Sequence, residues 1–295
     1  MTEKQLAQFV KSLYGLEGIW QALPGELGLH FRLTTPEGLR YVVKVNHETN
    51  TDQWLDLQHQ CMAWAHDRIQ GFQLPYSITA KDGKTYHEVD KGQWLQVLEW
   101  VPGRLFAHVR PHTSELLADA GKKLGLLTKA LQGFEHPYAR RFLKWDIAAS
   151  SWTRPYLDLF DSGQKGKIQQ LWARFEAIQP MLSTCRKQVL YHDANDYNVL
   201  VTEDPYLPAI AGFIDFGDVV HTQTIHDLAI ACTYLLMDSP DPVHQSIPLI
   251  AAYHQVFPLT TEEIHCLAGC IGSRLLISAT VAAINIKENP ANAYL

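Results

Sequence analysis

Charge is sparse in this chain of 295 residues. Only 19% of positions are charged, and 25 Lys and Arg stand against 31 Asp and Glu for a net charge of −6. That balance excludes broad binding of nucleic acid or of an anionic membrane through a general positive field. Cysteine is sparse as well: Cys61, Cys185, Cys232, Cys266 and Cys270 are scattered, with no CxxC spacing to build a zinc or redox motif. They read as reduced thiols of a cytoplasmic protein. The N-terminal MTEKQLAQFVKSLYGLEG carries charges where a secretory signal needs an apolar stretch. The one run long enough to suggest a membrane span, Cys266 to Ile286, holds Arg274, Ser273, Ser278, Thr280 and two glycines, and reads as a buried C-terminal helix. Internal repeats and low-complexity tracts are absent. What the chain does have is apolar material, 46% hydrophobic with 11% aromatic, enough for a large core and for two domains or two lobes of one enzyme.

Periodicity divides the chain in two. Leu6, Phe9, Val10 and Leu13 have helical spacing, and Gly15 and Gly18 end it. Two β-rich runs, Leu29 to Thr35 and Leu39 to Val45, flank the turn residues Pro36 and Gly38, and the second places Lys44 in an otherwise apolar strand. A helix is expected over Thr51 to Gln70, and further strands around Tyr76 to Ala80, Thr85 to Val89 and Trp94 to Leu98. After Pro102 and Gly103 long helical patterns take over, at Leu116 to Leu131, Ala148 to Phe160, Lys165 to Leu182, Ile225 to Met237, Ser246 to Val256 and Thr261 to Ile286. The divisions expected are residues 1–98, a connection over 99–102, and 103–295.

Between the helices lies a segment of another kind, VLYHDANDYNVLV followed by GFIDFGDVVH. Short apolar β runs enclose a loop with Asp193 and Asn198 five positions apart, and another run delivers Asp215 just before Phe216 and Gly217. Three oxygen donors thereby converge at strand ends. Magnesium takes hard oxygen ligands, and phosphoryl transfer needs one further carboxylate to accept the hydroxyl proton. The D-x4-N spacing followed by D-F-G is the catalytic-loop and metal-loop arrangement of kinases.

On these residues, with HDLAIA at His226 to Ala231, the chain resembles the aminoglycoside phosphotransferase family of the protein-kinase-like superfamily, and within it the hydroxylysine-kinase-type branch. The resemblance implies a bilobal α+β fold, with a small sheet lobe carrying one main helix and a larger helical lobe, and it implies ATP and Mg2+ as cofactors. It makes Asp193 the catalytic base, Asn198 and Asp215 the magnesium ligands, and Lys44 the contact to the α/β phosphates. Glu99 and Val101 fall in the segment that meets the adenine, and Asp227 braces the catalytic loop. The chain also departs from the family. Tyr191 stands where the family has His; Asp56, Gln58 and Gln60 stand near the place of the Glu that pairs with the lysine, Gln58 fitting best and expected to orient Lys44 by a hydrogen bond; and Pro24-Gly25-Glu26-Leu27-Gly28 replaces a glycine-rich loop.

For the acceptor, the aromatic and charged stretch 133–160 offers Asp146 or Asp158 for an amine, Trp145 or Trp152 for cation–π contact, and Arg140, Arg141 or Arg154 for a carboxylate. Asp146, Trp145 and Arg154 are the foremost of these, and Asp218 reads equally as a second acidic group near the metal or as a turn residue. The expected activity is ATP-dependent phosphorylation of a hydroxyl on a small amine-bearing metabolite resembling hydroxylysine, homoserine, choline or an aminoglycoside. Nucleic acid and membrane are not expected partners, and oligomeric state is not legible. Two rivals remain: a catalytically weak nucleotide-binding protein, and a metal-dependent phosphohydrolase suggested by His192 with His226-Asp227. The fourteen histidines show no i, i+4 metal pair with a third ligand nearby. A protein kinase would need an Ala-Pro-Glu segment after Asp-Phe-Gly, and there is none.

Overall fold

The computed structural model describes residues 2–24, 28–47 and 51–288. Helix α1 (Glu3–Tyr14) starts at a capping box between Thr2 and Gln5 and stops at Gly15, whose φ of 74° suits glycine. The first lobe is one antiparallel sheet of β1 (Ile19–Leu23), β2 (Leu29–Thr34), β3 (Arg40–His47), β4 (Tyr86–Asp90) and β5 (Gln93–Glu99), in the order β1-β2-β3-β5-β4. Alternation along β3 sets its two faces. Val43 and Val45 join Phe31, Leu33, Leu95 and Val97 under Leu6 and Val10 of α1. Lys44 therefore faces the other way, in register between His30 of β2 and Gln96 of β5. Helix α2 (Thr51–His66) lies toward the second lobe, its Leu57, Cys61, Met62 and Ala65 joining that lobe's core.

Residues 100–103 lead out of β5. Beyond come the short strand β6 (Arg104–Leu105) and α3 (Ser114–Ala130), then α4 (Ser162–Thr184), the strands β7 (Lys187–Leu190), β8 (Val199–Val201), β9 (Ile210–Phe213) and β10 (Val220–Gln223), and α5 (Ile225–Leu235), α6 (Pro242–Val256) and α7 (Thr261–Glu288). Strand β7 pairs with β10 and β8 with β9, all antiparallel. The loop from β7 to β8 and the loop from β9 to β10 are therefore forced to lie side by side. Helix α7 is long and apolar enough by composition to cross a membrane. Here it packs on α4, on α5 and on the 147–159 segment, and Arg274 at its middle is buried.

Two expectations about elements need correction, and one strand was not expected. Residues 147–159 form a run of 3-10 turns rather than an α-helix, because Pro155 has no N–H to donate and Asp146 caps a tight first turn. The expected strand at Tyr76 to Ala80 is only a bridge between Ser77 and Leu98, lying along the part of β5 that β4 does not reach. Strand β1 is an added edge strand whose mostly exposed side chains gave no alternation to read.

Candidate active site

The catalytic loop runs from Tyr191 to Asn198. Asn198 donates its side-chain N–H to Asp193 Oδ2 at 2.5 Å and to the Asp193 carbonyl at 3.3 Å, while Asn195 donates to Asp193 Oδ1 at 3.0 Å. Those bonds use the Asn198 amide nitrogen and leave its oxygen as a donor to a cation. The facing loop presents Asp215, tied to the catalytic loop through the Ile214 N–H, which donates to the Asn198 carbonyl at 2.9 Å. Asn198 and Asp215 together offer the hard oxygen set that suits magnesium. Both loops hold a non-glycine residue in the left-handed region, His192 at φ 65° and Asp215 at φ 61°, a conformation concentrated at functional sites. The surroundings fix both. Asp227, fully buried on α5, accepts the His192 backbone N–H at 2.7 Å and the Thr128 hydroxyl at 3.2 Å. Burial pushes its carboxyl up to about 7.

Tyr191 is fully buried, with its ring 4.9 Å from that of Phe216 and its hydroxyl donating to the Ile214 carbonyl. It thus binds the catalytic loop to the residue before Asp215. The metal loop is held from two further directions. The Trp54 indole N–H of α2 donates to the Gly217 carbonyl at 2.8 Å, and Arg141 donates to the same carbonyl at 2.9 Å and to the Val219 carbonyl. Arg141, one of the carboxylate candidates, is therefore engaged with backbone.

Lys44 reaches into the cleft, with Nζ 3.4 Å from Asp215 Oδ2, and this ammonium holds the Asp215 carboxyl below the ordinary range against the effect of burial. The expected hydrogen bond between Gln58 and Lys44 does not form. Gln58 is buried at the expected place on α2, while the Lys44 ammonium is paired with Asp215 instead. Glu99 and Val101 line a cavity of about 420 Å³ that takes other walls from Phe72, Gln73 and Leu74 after α2. The Glu99 N–H is already bonded to the Tyr76 carbonyl at 2.8 Å. Of the glycine-bearing turn, residues 25–27 lie outside the described residues.

The acceptor candidates are dispersed. Arg154 pairs with Glu176 of α4 and stacks over Trp172 at the surface. Asp158 is exposed with Lys165, and the Trp152 ring carries Lys144. Asp146 is buried, its Oδ1 accepting from the Ala148 N–H at 3.1 Å and the Thr222 hydroxyl at 3.0 Å, so burial and these partners withdraw it from solvent. Trp145 does lie near the catalytic loop, through a residue that sequence reasoning weighed only as a bar to membrane insertion. Arg274 of α7 lies over the Trp145 ring at 4.9 Å, donates to the Trp145 carbonyl at 2.6 Å, accompanies the Tyr234 hydroxyl at 3.1 Å, and brings Nη2 to 3.4 Å from Asp193 Oδ1. No spacing rule links position 274 to 193. Asp218 stands in the same cluster: burial and the Asp193 and Asp215 carboxylates push its carboxyl up to about 8, against the pull of Arg274 and Arg141.

A sequence profile of the phosphotransferase enzyme family matches residues 20–264. The chain belongs to that family. Members transfer phosphoryl groups, and with this fold the chain is a small-molecule kinase. A curated relative, hydroxylysine kinase of Danio rerio, is 27% identical over 311 residues, covering 99% of this chain and 86% of the relative. Among solved structures, an amicoumacin kinase in complex with AMP-PNP and Ca2+ superposes with a TM-score of 0.74 at 15% identity, covering 96% of this chain and 86% of the other. A microcompartment-associated aminopropanol kinase gives 0.71 at 14% identity, covering 97% of both chains. At these identities the two structures establish the kinase-like fold.

Proposed function

We propose that this phosphotransferase moves the γ-phosphoryl group of ATP to a hydroxyl of a small amine-bearing metabolite. The convergence of Asp193, Asn198, Asp215 and Lys44 from two paired loops and one strand carries the reading. Asp193 orients the acceptor hydroxyl and takes its proton as the oxygen attacks in line, with Asn198 and Asn195 fixing the carboxylate for that approach. Lys44 leaves Asp215 for the α/β phosphate oxygens. Magnesium, for which Asn198 and Asp215 would be the ligands, supplies charge neutralisation on the phosphates when bound. Arg274 stands beside Asp193 on one side, with Nη2 3.4 Å from Oδ1.

An amine in the acceptor suits the carboxylates crowded around Asp193. Burial first, and the Asp193 and Asp215 carboxylates after it, push the Asp218 carboxyl up to about 8, and an ammonium group relieves the like-charge part of that cost. Hydroxylysine is a natural first choice given the curated relatives' name. Reduced, buried thiols fit a cytoplasmic setting, where ATP is also available.

The test is coupled Mg-ATP turnover against hydroxylysine, homoserine, choline, ethanolamine and aminoglycosides. One acceptor should stimulate ADP release, and Asp193→Asn should lower its kcat by about 10²–10⁴-fold with nucleotide affinity kept. Nucleotide binding with no acceptor-dependent release across the panel favours the nucleotide-binding rival.

A further inference from the structure

Asp146, His192 and His226 come from three separate segments, the start of the 3-10 run, the catalytic loop and α5, and all are buried. Their oxygen and nitrogen atoms lie within 4.8 Å of one another. Asp146 Oδ1 is 3.4 Å from His192 Nε2 and 3.3 Å from His226 Nδ1. These separations are long for imidazole–carboxylate hydrogen bonds, which close to about 2.7–2.9 Å when one partner is charged. They match the edge of a tetrahedron whose centre is a metal, since ligands at about 2.0–2.1 Å from zinc stand about 3.3 Å apart. His192 Nε2 has no hydrogen-bond partner although the ring is completely buried, and an orphaned buried nitrogen of this kind carries a desolvation penalty.

We infer that Asp146, His192 and His226 form a zinc-class divalent-metal site, separate from the magnesium ligands Asn198 and Asp215. Two imidazoles and a carboxylate are the ligand types zinc takes, and three protein ligands leave a fourth position open. A cavity of about 280 Å³ beside the cluster is lined by Asp146 and Thr222 together with Arg140, Arg141 and Lys187, and the Thr222 hydroxyl donates to Asp146 Oδ1 at 3.0 Å, which orients that carboxylate. The groups facing the cluster are the Asp227 carboxylate, which accepts the His192 backbone N–H, and Arg274, whose charge acts on His192. The metal gives His192 Nε2 the partner it lacks. It also fastens the left-handed residue next to Asp193 to two helical segments, so its role is to hold the catalytic loop in place.

The experiment uses untagged full-length protein prepared without chelator, analysed for bound metal and then reloaded with Co2+ after stripping. About one zinc-class ion per chain is expected, with the visible absorption of a four-coordinate Co2+ bearing nitrogen ligands. His226→Gln and Asp146→Asn should each weaken Co2+ binding by at least about 100-fold, since loss of outer partners alone costs ~10–100-fold. Asp215→Asn should leave the Co2+ spectrum unchanged. Stripping the wild-type protein should lower its melting temperature, and this readout stands even where a variant fails to fold. A wild-type chain that retains no metal and takes up no Co2+ overturns the inference, as do ligand variants that bind Co2+ like the wild type.

Discussion

Single residues decide how rigidly the site is held. Tyr191 takes the place of the family's histidine yet keeps the two loops together, because its ring packs on Phe216 and its hydroxyl reaches the Ile214 carbonyl. The substitution therefore leaves the loop-to-loop connection in place. A second anchor lies at the far end of the same ladder. Glu263 is fully buried and accepts from Arg186 at 2.9 and 2.6 Å, from the Thr224 hydroxyl at 2.7 Å and from the Thr260 N–H at 2.9 Å. Burial raises its carboxyl, but these donors outweigh burial and hold it below the ordinary range. Because the folded state prefers the ionised form, the pair stabilises above the unfolded value of about 4.3 and the contribution is lost as pH falls through the lower folded value. Arg186→Ala should cost about 1–3 kcal/mol at pH 7, less than a wholly buried pair because the arginine is 42% exposed. Urea unfolding at pH 7 and below pH 4 tests this, and the gap to wild type should shrink at the acid end.

At the scale of elements, the close contact of α3 and α6 rests on two glycines. A Cβ at Gly121 would stand 2.0 Å from the Leu249 carbonyl oxygen, and one at Gly125 would stand 3.1 Å from that of Tyr253. Alanine is the better helix former by about 1 kcal/mol, yet here the obstacle is backbone and cannot rotate away. Gly121→Ala should therefore destabilise by about 1–3 kcal/mol net, the range for overpacking, as thermal unfolding would measure. A rise in stability would mean that α6 shifts freely on α3. Helix boundaries followed the sequence closely at α7, expected over Thr261 to Ile286 and found as Thr261–Glu288. They followed it poorly at 147–159, where the helical spacing of apolar residues was real but Pro155 and Asp146 imposed tighter turns.

Across the whole molecule, Lys44 to Asp215 and Trp54 to Gly217 join the lobes at the metal loop, and Asp56 to His136 and Trp64 to the Ala130 carbonyl join them along α2. A nucleotide held between the lobes should stabilise both. At 100 times its dissociation constant Mg-ADP should add about 2.7 kcal/mol and raise the melting temperature by several degrees. Asp215→Asn should remove the magnesium-dependent part of that rise, and a rise unchanged by the substitution would exclude Asp215 as a metal ligand. The sequence by itself pointed, through its resemblance, to the α+β phosphotransferase family, and short-range spacing within β–loop–β segments put Asp193, Asn198 and Asp215 at neighbouring strand ends. Only the tertiary structure decided that Arg274 of α7 reaches Asp193, that Gln58 leaves Lys44 to Asp215, and that Asp146, His192 and His226 meet. These contacts join residues 34 to 171 positions apart, and their distances are set by how helices and strands pack against the loops, which no local periodicity encodes.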